Sequence, residues 1–351
     1  MVAWGFFWAG LAVLWLGYIA LIGFYRSGWR LPAASLEDDL PDPRTFVSVL
    51  VAARNEAGHL PALLAALRNQ NYPPGLFEVV LIDDHSEDDT FAIANAAGGA
   101  VHALRLPAGQ AGKKAAIAYG ITQARGTWIV TTDADCVPGP RWLSLLMQHS
   151  DGASFLAAPV RYLALRTFCD RFQALDFMTL QGITAASVET GFHSMCNGAN
   201  LAYTKEAFEE VGGFAGVDHI ASGDDLLLMH KIARRHPQGV RYINDPGVIV
   251  ETEPAPGWRA FWRQRVRWAS KSAQYNDRRI FWALLLVYAF NFHFIALAVW
   301  SVWNGQMLWL LLGGLILKTI VEIRFLGPVA HFYGQQHLLR WFPVMQPLHI
   351  L

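Results

Sequence analysis

Residues 128–136 read Trp-Ile-Val-Thr-Thr-Asp-Ala-Asp-Cys, and no other stretch limits the possible folds of this chain as tightly. An apolar run rich in β-branched residues predicts a buried strand. It ends in two carboxylates, Asp133 and Asp135, one residue apart. Strand side chains alternate with period two, so both carboxylates can point the same way where the strand ends. In open α/β sheets, ligands bind beyond the carboxyl ends of the strands. Two hard oxygen donors there suit Mg²⁺ or Mn²⁺, ions usually shared with substrate phosphates. An isolated Asp-x-Asp is more often a solvated turn, so its neighbours along the chain must decide.

Those neighbours alternate strand and helix. Residues 46–53 form a strand that meets Arg54-Asn55-Glu56, followed by a helix over 57–69. A second strand, 77–82, ends at Asp83-Asp84-His85-Ser86. Ser86 opens a helix with Asp88 and Asp89 in its first turn, where the dipole favours acids. A third strand over 101–106 precedes the Gly- and Lys-bearing loop 109–114, and a helix to Arg125 leads into the 128–136 strand. This order predicts a mostly parallel sheet with helices on its faces, so Asp83-Asp84 and Asp133-Ala134-Asp135 open onto one crevice. Beyond Asp135 the pattern predicts a helix over 139–149, a strand over 155–163 and an amphipathic helix over 165–183. Asn197-Gly198-Ala199-Asn200 leads to a short strand and a helix stopped by Gly212-Gly213. Ser222-Gly223-Asp224-Asp225 opens a further helix to about residue 235, and 240–244 and 248–253 read as short strands.

The ends of the chain are of another character. A hydrophobic content of 53%, with 14 Trp and 21 Phe, exceeds what a soluble chain needs, and the excess sits at the two ends. Residues 3–24 are uninterruptedly apolar and long enough to cross a bilayer. No basic segment precedes them and no small-residue cleavage site follows, which favours a retained anchor over a signal peptide. Arg26 and Arg30 then place the following segment in the cytoplasm. Residues 31–44 read as a linker with Pro32, Pro41, Pro43 and the acidic cluster Glu37, Asp38, Asp39. Residues 257–271 mix Trp258, Trp262 and Trp268 with Arg259, Arg263, Arg267 and Lys271, the pattern of a helix lying at a membrane surface. Residues 280–303 span, 304–306 turn, and 307–325 return, with Lys318, Glu322 and Arg324 making the last part half-polar. The zero net charge gives no basic field for nucleic acid. Cys136, Cys169 and Cys196 have neither metal nor disulfide spacing and read as reduced thiols.

Four ordered motifs carry a resemblance: Asp83-Asp84, Asp133-Ala134-Asp135, Gly223-Asp224-Asp225 and the Q-x-x-R-W match Gln264-Arg265-Val266-Arg267-Trp268. Over roughly residues 46–270 the chain resembles family 2 of the glycosyltransferases, the membrane-bound inverting enzymes related to cellulose, chitin and hyaluronan synthases. The resemblance implies an α/β fold of the GT-A type, a nucleotide-sugar-binding domain with a mostly parallel sheet, flanked by transmembrane and interfacial helices. It implies an anchor over 1–30, a linker over 31–45, a catalytic domain over 46–256 and an interfacial helix over 257–279. Two transmembrane helices over 280–325 and a cytoplasmic or interfacial tail over 326–351, leaning toward a further helix, complete the layout. The protein is thus expected in the cell membrane, multi-pass, with its catalytic domain cytoplasmic.

The resemblance also assigns roles. Asp83 or Asp84, with Arg54 and Glu56 nearby, would bind the base and ribose of a nucleoside diphosphate, or else cap the helix after Ser86. Asp135 would hold Mg²⁺ or Mn²⁺ bridging the two phosphates, and Asp133 would contact sugar, ribose or metal. Lys113, with Lys114, reaches the nucleotide or is simply solvated at a helix start. Asp225 is the candidate general base of a single displacement, Asp224 its alternative, and both also fit a helix N-cap. Gln264, Arg265 and Arg267 would bring donors and charge to the diphosphate, and Trp268 an apolar platform to the acceptor. The expected partners are a nucleotide sugar, with uridine as the base, a lipid-linked or glycan acceptor, and membrane lipids. Fewer spans than the polymer-extruding synthases argue against a translocation channel. A divalent-dependent nucleotidyl- or phosphotransferase competes, but the chain has no G-x-x-x-x-G-K-S/T loop and the Q-x-x-R-W match has no role in it. A catalytically silent scaffold of the same fold is the non-enzyme alternative, which carboxylates at all three sites disfavour.

Overall fold

The computed structural model describes residues 2–30, 45–193, 195–216, 223–270 and 278–350. The expected linker at 31–44, Ser222 and Lys271 lie outside them. The chain divides into two compact units: Pro32–Ala164 with His193–Pro254, and Met1–Leu31 with Leu165–Phe192 and Ala255–Leu351. Residues 165–192, inside the expected 46–256 span, therefore pack with helices from both ends of the chain.

The first unit is α/β. Its elements are β1 (Val47–Ala53), α2 (Leu60–Arg68), β2 (Phe77–Asp83), α3 (Thr90–Ala96), β3 (Val101–Arg105), α4 (Lys113–Gln123) and β4 (Trp128–Asp133). There follow β5 (Val137–Pro138), α5 (Trp142–Gln148), β6 (Phe155–Ala157), β7 (Val160–Tyr162), β8 (Leu201–Thr204), α7 (Lys205–Glu210), α8 (Asp224–Arg235), β9 (Val240–Tyr242) and β10 (Val250–Thr252). The main sheet runs β3-β2-β1-β4-β8-β6-β9, and β5-β10-β7 form a small second sheet. All its pairings are parallel except those of β8, which is antiparallel to both β4 and β6. Every residue of β2 is buried, as a central parallel strand covered on both faces requires. Register sets the strand ends level: Ala53 stands opposite Asp83, and Ala52 opposite Asp133.

Two expectations change here. The helix expected at Ser86 begins at Thr90. Ser86 and Asp88 instead brace the turn after β1: the Ser86 hydroxyl accepts from the Asn55 amide, and Asp88 accepts from Thr90 and Ala57. The Ser86 hydroxyl and Asp88 Oδ2 serve backbone N–H groups across the turn, and Asp88 Oδ1 serves the Thr90 amide, so the helix starts at Thr90 and not at Ser86. The strand expected over 155–163 splits at Ala158-Pro159 into β6 and β7, which belong to different sheets. Pro159 has no N–H to offer a ladder, and its carbonyl accepts from Val250 and Asn200 instead. For the same reason of sheet membership, 240–244 and 248–253 contribute β9 and β10 to separate sheets.

Glu78 on β2 is 2% exposed yet charged, and its bonds explain why that is tolerable. Ser48 donates to one oxygen at 2.6 Å and the Arg125 amide at 2.7 Å; the Arg125 guanidinium donates to the other at 2.7 Å. Burial pushes the carboxyl up, but these donors together outweigh it and hold it below the ordinary glutamate range. A depressed native value means that the stabilisation is present above the ordinary range, near about pH 4.3, and is lost as pH falls through the lowered value. Glu78→Gln should therefore lower stability by about 1–3 kcal/mol at neutral pH. The difference from wild type should shrink on acidification in urea melts followed by tryptophan fluorescence.

The second unit is helical: α1 (Val2–Gly28), α6 (Phe168–Glu189), α9 (Gly257–Ala269), α10 (Arg278–Ser301), α11 (Gly305–Phe332), a 3₁₀ stretch (Gln336–Trp341) and α12 (Phe342–Ile350). Thr167 and Asp170 close a capping box at the start of α6. Gly28 lets α1 approach α6 closely, since a Cβ there would lie 2.6 Å from the Ala186 carbonyl oxygen. Tyr18, Phe290, Phe294 and Ile350 form a buried cluster. Among the described residues two stretches, Trp8–Gly28 and Arg278–Ser301, are long and apolar enough to cross a membrane. The apolar run of α11 is interrupted by Lys318, Glu322 and Arg324.

Lys318 is 3% exposed and Gln346 1%, and they meet in a closed polar cluster. The Lys318 ammonium contacts Glu322 at 2.6 Å and the Gln346 carbonyl oxygen at 2.9 Å; Tyr18 and the Gln346 amide donate to the same Glu322 carboxylate. The cluster ties α1, α11 and α12 together through polar atoms largely withdrawn from solvent. Lys318→Met removes the ammonium from a Glu322 carboxylate that is only 14% exposed, which should cost about 1–3 kcal/mol. Lys318→Met with Glu322→Met should recover much of that loss. Thermal unfolding in detergent measures both.

Candidate active site

The carboxyl edge of the α/β unit collects the predicted acids because β1 lies between β2 and β4. Asp83 ends β2 and Asp133 ends β4, each beside the end of β1. Burial continues to alternate past β4: Ala134 and Cys136 are buried, while Asp133 is half-buried and Asp135 exposed. The period of two thus orients both acids outward even where the ladder has stopped.

Asp83 and Asp84 are 3% and 5% exposed. Asp84 Oδ2 accepts from the Gly112 amide at 2.9 Å and lies 4.0 Å from Arg54 Nη1. Among the described residues, Oδ1 of Asp83 and Oδ1 of Asp84 are buried with no hydrogen-bond partner. Buried carboxylate oxygens are normally satisfied, so these two have acceptor capacity that the described residues leave unused. Asn55 and His85 hold left-handed backbone at φ 57° and 56° beside them, and the His85 ring bonds to the Gln110 carbonyl. Glu56 faces elsewhere: its carboxylate pairs with His59 at 2.8 Å, and its amide donates to Thr90.

Asp133 is paired with Lys113, the first residue of α4. Asp135 Oδ2 accepts from the Thr252 hydroxyl at 3.3 Å. Crowding by surrounding protein and then the charge of Asp133 push the Asp135 carboxyl up, although its side chain keeps solvent contact. The Cys136 thiol goes further up, through burial and the same two carboxylates, so it is an inert apolar neighbour. Two hard oxygen donors, one of them disfavoured in its charged form by the other, fit a divalent cation. No group of three or more His, Cys, Asp or Glu gathers among the described residues, so the remaining ligands would come from phosphate and water, as Mg²⁺ prefers.

Asp225 lies on the first turn of α8, after Gly223 with φ 86°. Its Oδ2 accepts from the Gly198 amide at 2.9 Å and its Oδ1 from Leu226 at 2.8 Å. Asp224 opens the helix, but its side chain lies outside the described residues. The carboxylate of Asp225 therefore faces Asn197-Gly198-Ala199-Asn200, a stretch to which the sequence reading gave no role. The Gly198 carbonyl also accepts from the Thr131 hydroxyl of β4 at 3.1 Å, so one loop touches both β4 and the start of α8. Lys113, Thr131, Gly198 and Asp225 line one cavity.

Asn200 holds that loop in place. Fully buried, it donates to the Pro159 and Val248 carbonyls at 2.7 and 2.8 Å and accepts from the Trp142 indole at 2.9 Å. Thr252 was likewise unforeseen; it reaches Asp135 because β10 pairs with β5, directly after the acids. The only sequence signal for Asn200 was the Asn-Gly-Ala-Asn tetrapeptide, and Thr252 had none. Asn200→Ala would take this partner from the buried Trp142 indole and Val248 carbonyl, each worth about 1–3 kcal/mol, while the Pro159 carbonyl keeps the Val250 amide. The melting transition of the protein should fall, and the same substitution should weaken any ligand bound at Asp225.

The Q-x-x-R-W residues lie on α9 of the helical unit. Arg265 pairs with Asp176 at 2.5 Å, and its guanidinium lies over the rings of Trp268 at 4.2 Å and Phe261 at 4.8 Å. His349 stands 3.7 Å from the same Asp176, and burial pushes its imidazole down. Gln264 Oε1 is buried with no partner among the described residues, and Arg267 is exposed.

A mostly parallel sheet ending in a row of carboxylates, with a small second sheet behind the second acid pair, defines a GT-A-like α/β protein. The solved mannosyltransferase PcManGT from Pyrobaculum calidifontis, in complex with GDP-Man and Mn²⁺, shares that fold at TM-score 0.65 and 20% identity, over 97% of each chain. Residues 48–212 match the model of Glycosyl transferase family 2. A probable glycosyltransferase of Bacillus subtilis, YdaM, is 25% identical over 279 residues, covering 75% of this chain and 65% of that one. An undecaprenyl-phosphate 4-deoxy-4-formamido-L-arabinose transferase of Pseudomonas aeruginosa is 36% identical over 115 residues, 31% of this chain and 34% of that one. The chain thus spans less than two thirds of the length of these curated relatives.

Proposed function

We propose that this protein is a membrane-bound inverting glycosyltransferase. It moves a hexose or N-acetylhexosamine from a nucleoside-diphosphate sugar, a UDP-sugar first, to a hydroxyl of a lipid-linked or glycan acceptor. The observation that carries the reading is the juxtaposition of Lys113, Gly198 and Asp225 around one cavity, next to Asp133. It sets a candidate base beside a candidate phosphate site, which a binding scaffold has no need to do. The relatives support it: one bears the name of an undecaprenyl-phosphate transferase, and the solved mannosyltransferase holds GDP-Man with Mn²⁺.

In this reading the unpartnered oxygens of Asp83 and Asp84 accept from the base and ribose, with Arg54 beside them. Asp133 and Asp135 hold Mg²⁺ or Mn²⁺, which when bound would neutralise charge on the departing diphosphate. Asp225, with Asp224 as its alternative, takes the proton of the acceptor hydroxyl as that oxygen bonds to the anomeric carbon and the bond to diphosphate breaks. The Gly198 amide holds the Asp225 carboxylate in place, as a general base needs. Gln264, Arg265, Arg267 and Trp268 enter on motif order alone, as donors to the diphosphate and a platform for the acceptor. Arg265 is already neutralised by Asp176, so exposed Arg267 is the better cation among them. Glu56 contributes through the turn it braces more than through its carboxylate.

Trp8–Gly28 and Arg278–Ser301 would anchor the chain, and α11 would form a third, half-polar crossing. Exposed Trp282, Tyr288 and Trp309 on α10 and α11 would face lipid. Arg26 and Arg30 then set the α/β unit in the cytoplasm, where nucleotide sugars are made.

The test is release of nucleoside diphosphate from a panel of UDP- and GDP-sugars by the purified protein with Mn²⁺. Asp225→Asn keeps the shape but cannot take a proton as a carboxylate does. It should cut transfer by roughly a hundred- to ten-thousandfold while UDP affinity changes little. Asp133→Asn and Asp135→Asn should lose binding and transfer together. If Asp224→Asn alone slows transfer, the base moves by one residue; if neither change does, single displacement from this motif is wrong.

A further inference from the structure

Lys113 stands between Asp133 and the cavity beside Asp225, on a segment that also reaches Asp84. Its ammonium is paired with Asp133. On the other side it borders Gly198: a Cβ built on that glycine would lie 3.2 Å from Lys113 Nζ and 3.5 Å from Asp225 Oδ2. Behind it, Gly112 donates its amide to Asp84. Gly109 and Gly112 hold φ 86° and 91°, so the loop that carries Lys113 is shaped by two left-handed glycines. One positive charge therefore stands on the acid expected to bind metal, beside the expected base, on a segment tied to the expected nucleotide site.

We propose that Lys113 is a built-in cation that occupies Asp133 in the resting protein, competes there with the divalent ion, and moves to the donor diphosphate when it arrives. The inference rests on the metal and donor sites proposed above. Its physics is electrostatic. A divalent ion near Asp133 meets an ammonium a few ångströms away, and like charges that close disfavour each other. The pair is about one third exposed on each side, at 35% and 38%, so solvent screens the repulsion and the effect is moderate. A diphosphate supplies new acceptors for the ammonium, which binds phosphate as a point charge. Once Lys113 has moved, Asp133 is available to the ion. Linkage then requires that donor and cation strengthen each other's binding, with Lys113 supplying part of the coupling. An acid pair held by lysine also stays compact without metal, which keeps two carboxylates from repelling each other open.

Mn²⁺ binding to the full chain in detergent tests this, read from the electron paramagnetic resonance signal of the free ion, with no turnover involved. Without nucleotide, Lys113→Met should bind Mn²⁺ at least about fivefold tighter than wild type, the lower end of ordinary coupling. Lys113→Arg, which keeps the charge, should bind it no more tightly than wild type. The gap between Lys113→Met and wild type should close as salt is raised. UDP should improve Mn²⁺ affinity several-fold less in Lys113→Met than in wild type. Asp135→Asn should abolish Mn²⁺ binding in every background. If Lys113→Met binds Mn²⁺ no better than wild type while Asp135→Asn still abolishes binding, the competition is overturned and the metal site stands. If no variant binds Mn²⁺ even with UDP, the metal site itself fails, and this inference with it.

Discussion

Repulsion among carboxylates gathered at one sheet edge is the constraint on which the α/β unit depends. Parallel strands β2, β1 and β4 end level, and two of them end in acids. Left alone, such charges would raise one another's pKa values and push the edge apart. The structure answers each acid differently. Asp84 accepts from a glycine amide, Asp133 from a lysine, Asp135 from a threonine hydroxyl, and Asp225 from Gly198 and Leu226. Some of these answers are incomplete: Oδ1 of Asp83 and of Asp84 are buried with no partner among the described residues, and the Asp135 carboxyl stays above its usual range. An edge balanced short of neutrality is suited to accept a cation and a polyphosphate together.

The same chain handles a fully buried charge in the opposite way. Glu78 has its oxygens satisfied by Ser48 and Arg125, and Lys318 is enclosed by Glu322 and Gln346. These clusters are closed, with donors matched to acceptors, and they join elements far apart in sequence. Closed clusters hold structure; open ones leave acceptors unused. That contrast separates Glu78 from Asp84 more clearly than burial does, since both are almost inaccessible to solvent.

The Asn197–Asn200 loop shows how support reaches the site without contact with the chemistry. Asn200 is committed to three groups on three elements, which leaves Gly198 positioned to present its amide to Asp225 and its carbonyl to Thr131. A larger residue at 198 would crowd Lys113 and Asp225. Small size and fixed placement here serve a geometry that the carboxylates alone could not maintain.

The sequence by itself determined the α/β order, the strand-end placement of Asp83, Asp84, Asp133 and Asp135, the helix after Gly223 and the apolar character of both ends. These follow from local rules: alternation of burial, β-branched runs, and glycine at turns. Helix starts were less legible. Asp88 and Ser86 looked like first-turn residues, but they bond across to the turn after β1, and only the parallel register of β1 and β2 brings those groups together. The break at Ala158-Pro159, which assigns two short strands to two sheets, was hidden because a hydrophobic run does not show which ladder each half joins. Tertiary structure alone decided that Lys113 meets Asp133, that Thr252 meets Asp135 and that Gly198 serves Asp225. Those pairs are separated by 20, 117 and 27 residues. A side chain's partner at such range depends on strand order and loop path, which local periodicity does not encode.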